Sequence, residues 1–143
     1  MEIKIKKLHK DAKIPKYMTD GSAGFDFYSI EEAEIFPGQI KNIHTGLSVQ
    51  IPENTVLDVR QRGGFSLLFP NYISIGVGTV DSDYRGEVMI PVVNNTKGIM
   101  KIIKGQRIAQ GVLTPVIKAQ IKEVRKLDET KRGTGGFGHT GDK

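Results

Sequence analysis

The chain has 143 residues, enough for one domain with a single hydrophobic core. It contains no cysteine, which excludes disulfides, a thiolate metal site and a cysteine nucleophile. The net charge is +5 and no apolar run approaches the ~20 residues of a membrane span, so a soluble, cytoplasmic protein without a membrane partner is expected.

At the N-terminus Ile3 and Ile5 alternate with Lys4 and Lys6, the pattern of a half-buried strand over 2–8 with a charged wet face. No apolar block follows, so the stretch is not a secretory signal. With Lys7, His9 and Lys10 it also admits a nucleic-acid patch, although a solvated charged face is the simpler reading. Residues 25–28 form a short aromatic strand, and Pro37 and Gly38 a turn. Ile43, Thr45, Leu47, Val49 and Ile51 repeat every second residue, which predicts a long strand with one buried face. After a turn at 52–54, further strands are predicted at 56–60, through Ile73, Ile75 and Val77, and at 87–93, where Pro91 argues for an edge or a bulge. Residues 94–98 read as a hairpin-type loop, followed by strands at 99–103 and 107–117 around a Lys104-Gly105 turn. A short helix is allowed near 66–69.

Short strands at regular spacing, with 17 glycines for turns, predict an all-β sandwich, jelly roll or barrel. From residue 127 the composition changes. Five glycines fall between Gly133 and the end, so the expected organisation is a β core over 1–126 and a flexible tail over 127–143.

Five segments carry potential chemistry: GSAGFD at 21–26, RGGFS at 62–66, GTVDSDYRG at 78–86, GQRIAQ at 105–110 and RGTGGFGHTG at 132–141. Each alone has a plainer reading: a loop entering a strand, a flexible turn, an acidic hairpin tip, a turn into an amphipathic strand, a disordered RNA-binding tail. In this order, across nearly the whole chain, they resemble the five motifs of the trimeric deoxyuridine triphosphatase family. The third and fifth segments are the most specific.

The resemblance implies a jelly-roll-like β-barrel subunit in a homotrimer. Its active sites would be shared between subunits, with the tail of one chain closing over a site built by others. It implies hydrolysis of dUTP to dUMP and pyrophosphate with Mg²⁺, which keeps uracil out of DNA and supplies dUMP for thymidylate synthesis. No stable nucleic-acid partner is expected. Asp81 resembles the general base that takes a proton from the attacking water. Asp26 resembles an outer-sphere metal contact, holding Mg²⁺ through water. Tyr84 matches the residue that packs against the deoxyribose and excludes a 2′-hydroxyl. Uracil would be read by backbone groups of a hairpin from Thr79 through Val80 to Met89. Arg62, the amides of Gly63 and Gly64, and Gln110 would hold phosphate oxygens. Arg107 would have a structural role, pairing within the trimer. In the tail, Arg132 would grip the terminal phosphate and Phe137 would stack on uracil, while Gly138, His139 and Thr140 wrap the phosphates. His9 and His44 have no implied metal role.

One position departs from the family pattern. The second motif usually reads Arg-Ser, and here it reads Arg62-Gly63, so a phosphate contact near the α–β bridge is missing and slower turnover is expected. Three other readings stay open: a dCTP deaminase on the same fold, a binding protein that does not turn substrate over, and an RNA-binding module.

Overall fold

The computed structural model describes residues 1–73 and 76–136. The strands are β1 (Lys4–Lys7), β2 (Phe25–Tyr28), β3 (Ala33–Ile35), β4 (Ile40–Gln50), β5 (Thr55–Arg60), β6 (Gly78–Val80), β7 (Glu87–Val93), β8 (Met100–Ile102) and β9 (Arg107–Pro115). One helical turn, α1 (Gly63–Ser66), interrupts them. The fold is therefore all-β, as the turn-punctuated alternation requires. Among the described residues no helix is long and apolar enough to cross a membrane.

The strands form three sheets, ordered β1-β4-β7, β2-β9-β5-β6 and β3-β8. Their inward faces meet in one core that includes Phe27, Ile43, Leu47, Leu57, Ile90, Met100 and Ile108, all essentially without solvent contact. β4 buries Ile43, Thr45, Leu47 and Val49, the alternate residues that the pattern singled out. Pro91 sits on β7, an edge strand, where its missing N–H breaks no ladder on the open side.

Four local expectations are corrected. The 94–98 loop is not a hairpin, because β7 pairs with β4 while β8 pairs with β3. The loop crosses between sheets, and the buried Asn94 closes it: its Nδ2 donates to the carbonyls of Ile35 and Gly98 at 2.7 Å each, and its Oδ1 accepts from Thr96. Residues 79–89 likewise join two sheets, since β6 pairs with β5 and not with β7. Ile73 makes only an isolated bridge to Val92, and Val77 lies outside any strand; Ile75 is outside the described residues. The helical turn starts at Gly63, ahead of the expected 66–69, because the carbonyl of Arg62 receives the amides of Phe65 and Ser66.

Candidate active site

Two concave regions receive the residues singled out from the sequence. The first is a cleft of about 260 Å³ between β6 and the start of β7. Thr79, Val80, Asp81, Tyr84 and Met89 line it, joined by Asn42, Val59 and Glu87, which sequence reasoning missed. The cleft exists because the chain leaves one sheet at Val80 and enters another at Glu87, so the two strands splay apart. Splayed strand ends present backbone N–H and C=O groups that no ladder consumes, the means of reading a flat ring by its edge.

The loop joining them is tightly organised. The Tyr84 amide donates to the Asp81 carbonyl at 3.2 Å. The Arg85 guanidinium donates to the carbonyls of Ser82 and Tyr84 at 2.8 Å each. Asp81 stands exposed at the start of this turn, on the lining of the cleft. Tyr84 stays 42% exposed and turns its hydroxyl back onto the Glu87 carbonyl at 3.0 Å.

The second region is a basic cradle at the junction of β2, α1 and β9, lined by Gly24, Asp26, Arg62, Gly63, Gly64, Arg107 and Gln110. Asp26 is nearly buried. The Arg62 Nε lies 3.2 Å from both of its carboxylate oxygens, and the Arg107 Nη1 donates to Oδ2 at 3.1 Å. Arg107 therefore pairs inside its own chain. Two guanidiniums against one carboxylate leave the cradle with a net positive charge, which suits an oligophosphate.

Tyr72 explains how the cradle is held, and no sequence signal announced it. It is fully buried, accepts the Arg62 amide at 2.7 Å and donates to the Ile108 carbonyl. Burial pushes its phenol up to about 12, partly countered by the Arg62 contact. The hydroxyl thus locks α1 to β9. Gln110 adds a second tie, its Nε2 donating to the Gln61 carbonyl at 2.8 Å.

Cleft and cradle share no lining residue within one chain. Arg132 lies apart from both, with its Nε bonded to the Gly135 carbonyl at 2.8 Å. Phe137, Gly138, His139 and Thr140 lie outside the described residues. Among the described residues no three acidic or histidine side chains gather closely enough to hold a metal, although Asp58, Asp81 and Asp83 line one depression. Asp26 is the buried carboxylate in the cradle, the position expected to meet Mg²⁺ through water.

Known proteins resemble this chain over nearly its whole length. The family model described as dUTPase matches residues 10–141. A deoxyuridine 5′-triphosphate nucleotidohydrolase from Nautilia profundicola is 45% identical over 99% of both chains. Its counterpart from Helicobacter pylori is 44% identical over 99% of this chain and 97% of its own. Among solved structures, Staphylococcus bacteriophage 80alpha dUTPase with dUPNHPP superposes with a TM-score of 0.89 at 27% identity, covering 98% of each chain. The dUTPase of phage phi11, in a mutant described as showing how a structural Mg(II) ion is coordinated, shares the fold at a TM-score of 0.82 and 24% identity, over 90% of this chain and all of its own.

Proposed function

Because the chain belongs to the dUTPase family, we propose that it is a dUTP diphosphatase converting dUTP and water to dUMP and pyrophosphate. The observation that carries this reading is the splayed cleft between β6 and β7, with Asp81 and Tyr84 at its mouth and unpaired strand ends at its base. Uracil enters the cleft and is recognised by backbone groups between Thr79 and Met89. The Tyr84 ring packs on the deoxyribose. Asp81 takes a proton from the water that attacks the α-phosphorus, and pyrophosphate leaves.

The cradle binds phosphate oxygens through Arg62, the amides of Gly63 and Gly64, and Gln110. Mg²⁺, when bound, neutralises charge on the phosphoryl oxygens, with Asp26 holding it through water. Cleft and cradle do not meet within one chain, which supports a homotrimer whose sites combine the cleft of one subunit with the cradle of another. The segment after β9 supports the same assembly. It exposes Ile117 and Ile121 at 96% and 97%, apolar area that calls for a neighbouring subunit. The tail then closes the site, bringing Arg132, Phe137, Gly138, His139 and Thr140 to the nucleotide. The enzyme works in the cytoplasm, where it keeps uracil out of DNA and supplies dUMP.

A pyrophosphate-release assay with dUTP, dCTP, dTTP and UTP tests the reading. Release from dUTP alone is expected. Ammonia from dCTP would assign a deaminase instead, and binding of dUTP without turnover would assign a non-catalytic protein.

A further inference from the structure

β4 carries a bulge opposite the cleft. Its ladder with β7 breaks between the pairs His44↔Met89 and Ser48↔Glu87, and Gly46 adopts a φ of +66°. The Glu87 side chain reaches into this gap. Its Oε1 accepts the Gly46 amide at 2.7 Å, and its Oε2 lies 2.9 Å from His44 Nδ1. The His44 backbone amide is itself held by Glu31 Oε1 at 3.0 Å. The Glu87 carbonyl in turn accepts the Tyr84 hydroxyl at 3.0 Å. Below the ring lies Gly86, where a methyl group would sit 2.3 Å from that hydroxyl oxygen.

These contacts form a chain from the β4 bulge through the Glu87 side chain and carbonyl to the Tyr84 ring. The half-exposed ring has its hydroxyl bond and its seat on Gly86 to hold it. Glu87 begins an edge strand at a broken ladder, so its backbone is placed by its own side chain more than by sheet pairing. A ring that rejects a substrate for one extra hydroxyl has to be held within about 0.5 Å. We propose that Glu87 is the positioning residue for sugar discrimination: anchored in the β4 bulge, it fixes the Tyr84 ring that separates deoxyribose from ribose nucleotides. This rests on the reading of Tyr84 as the ring that packs against the sugar.

The test is steady-state kinetics with dUTP and UTP on the wild type, Glu87→Ala, Glu87→Gln, Tyr84→Ala and the Glu87→Ala/Tyr84→Ala double variant. The quantity compared is the ratio of kcat/KM for dUTP to that for UTP. Glu87→Ala should lower it about tenfold, mainly through KM, and Tyr84→Ala at least as much. The double variant should fall no further than Tyr84→Ala, because both changes act through one ring. Glutamine keeps an acceptor for the Gly46 amide and a polar partner for His44, so Glu87→Gln should restore the ratio to within about threefold of wild type. A ratio unchanged in Glu87→Ala but lost in Tyr84→Ala overturns the positioning role and leaves the sugar contact standing. A ratio unchanged in both overturns the reading of Tyr84 itself. Should Glu87→Ala fail to fold, His44→Ala decides in its place: a lowered ratio supports the role, and an unchanged one overturns it.

Discussion

Gly63 opens α1 at the edge of the cradle, and nothing lies within 4 Å of where its side chain would begin. A serine there is sterically free, so Gly63→Ser isolates the chemistry of one hydroxyl. A hydrogen bond to a charged phosphate contributes about 1.5–3 kcal/mol, and if it forms mainly in the transition state kcat should rise roughly 10- to 100-fold with a smaller change in KM. An equal or lower kcat would mean that the cradle has recovered this contact by other means. Asp81→Asn keeps the size and removes the proton acceptor. Turnover should fall roughly 10²–10⁴-fold while titration still shows dUTP binding, and near-normal turnover would reassign the base. Tyr72 makes a separate prediction about pH. Its folded value of about 12 lies above its ordinary value of 10.0, so the folded state holds the proton more tightly. The stability this confers is complete below about pH 10 and is lost as pH rises towards 12. Tyr72→Phe should flatten that alkaline limb in melting curves and, by leaving the Arg62 amide and the Ile108 carbonyl without their partner, lower stability by about 1–3 kcal/mol at neutral pH.

At the scale of elements, β9 is the spine of the larger sheet, paired with β2 on one side and β5 on the other. Gly111 pairs with Phe25 on β2 and with Val59 on β5. A methyl group there would lie 2.8 Å from Phe25, 2.9 Å from Phe27 and 3.0 Å from Leu57, two of them rigid rings. Gly111→Ala is expected to destabilise by about 1–3 kcal/mol, read as a lower Tm with no change in strand content by circular dichroism. The same strand holds Gln110 at the cradle, so this variant should also weaken nucleotide binding. An unchanged Tm would show that β2 yields to admit the methyl group. The cleft depends on a different kind of element, the crossing from β6 to β7. Its shape follows from two strands that belong to different sheets.

Over the whole molecule, the separation of cleft from cradle leads to an expectation about assembly. Ending the chain after Leu127 removes the glycine-rich tail and none of the buried core. The shortened protein should stay folded and trimeric by sedimentation yet lose nearly all activity. Mixed trimers of this truncation with Asp81→Asn should recover activity, because one chain supplies the base and another the tail. No recovery, with mixing confirmed by mass, would place base and tail in the same chain.

The all-β class, the buried alternation of β4 and the edge position of Pro91 were legible in the sequence, and so were the motif residues that line the cleft and the cradle, but not Asn42, Val59 or Glu87 beside them. Period-two burial, proline's missing donor and the motif residues are local properties, and a string of residues displays them directly. Partnership between strands is not local. Residues 79–89 and 94–98 have hairpin-like composition, and only the packed structure shows each of them crossing between sheets. Tyr72 and Asn94 look like ordinary polar residues until burial turns them into the posts that hold α1 and the β7–β8 loop. The clamp of Glu87 on Gly46 spans 41 residues and exists because β4 bulges. Whether a side chain is buried, and what satisfies it there, depends on which distant strands the core brings together, and that is decided only when the chain folds.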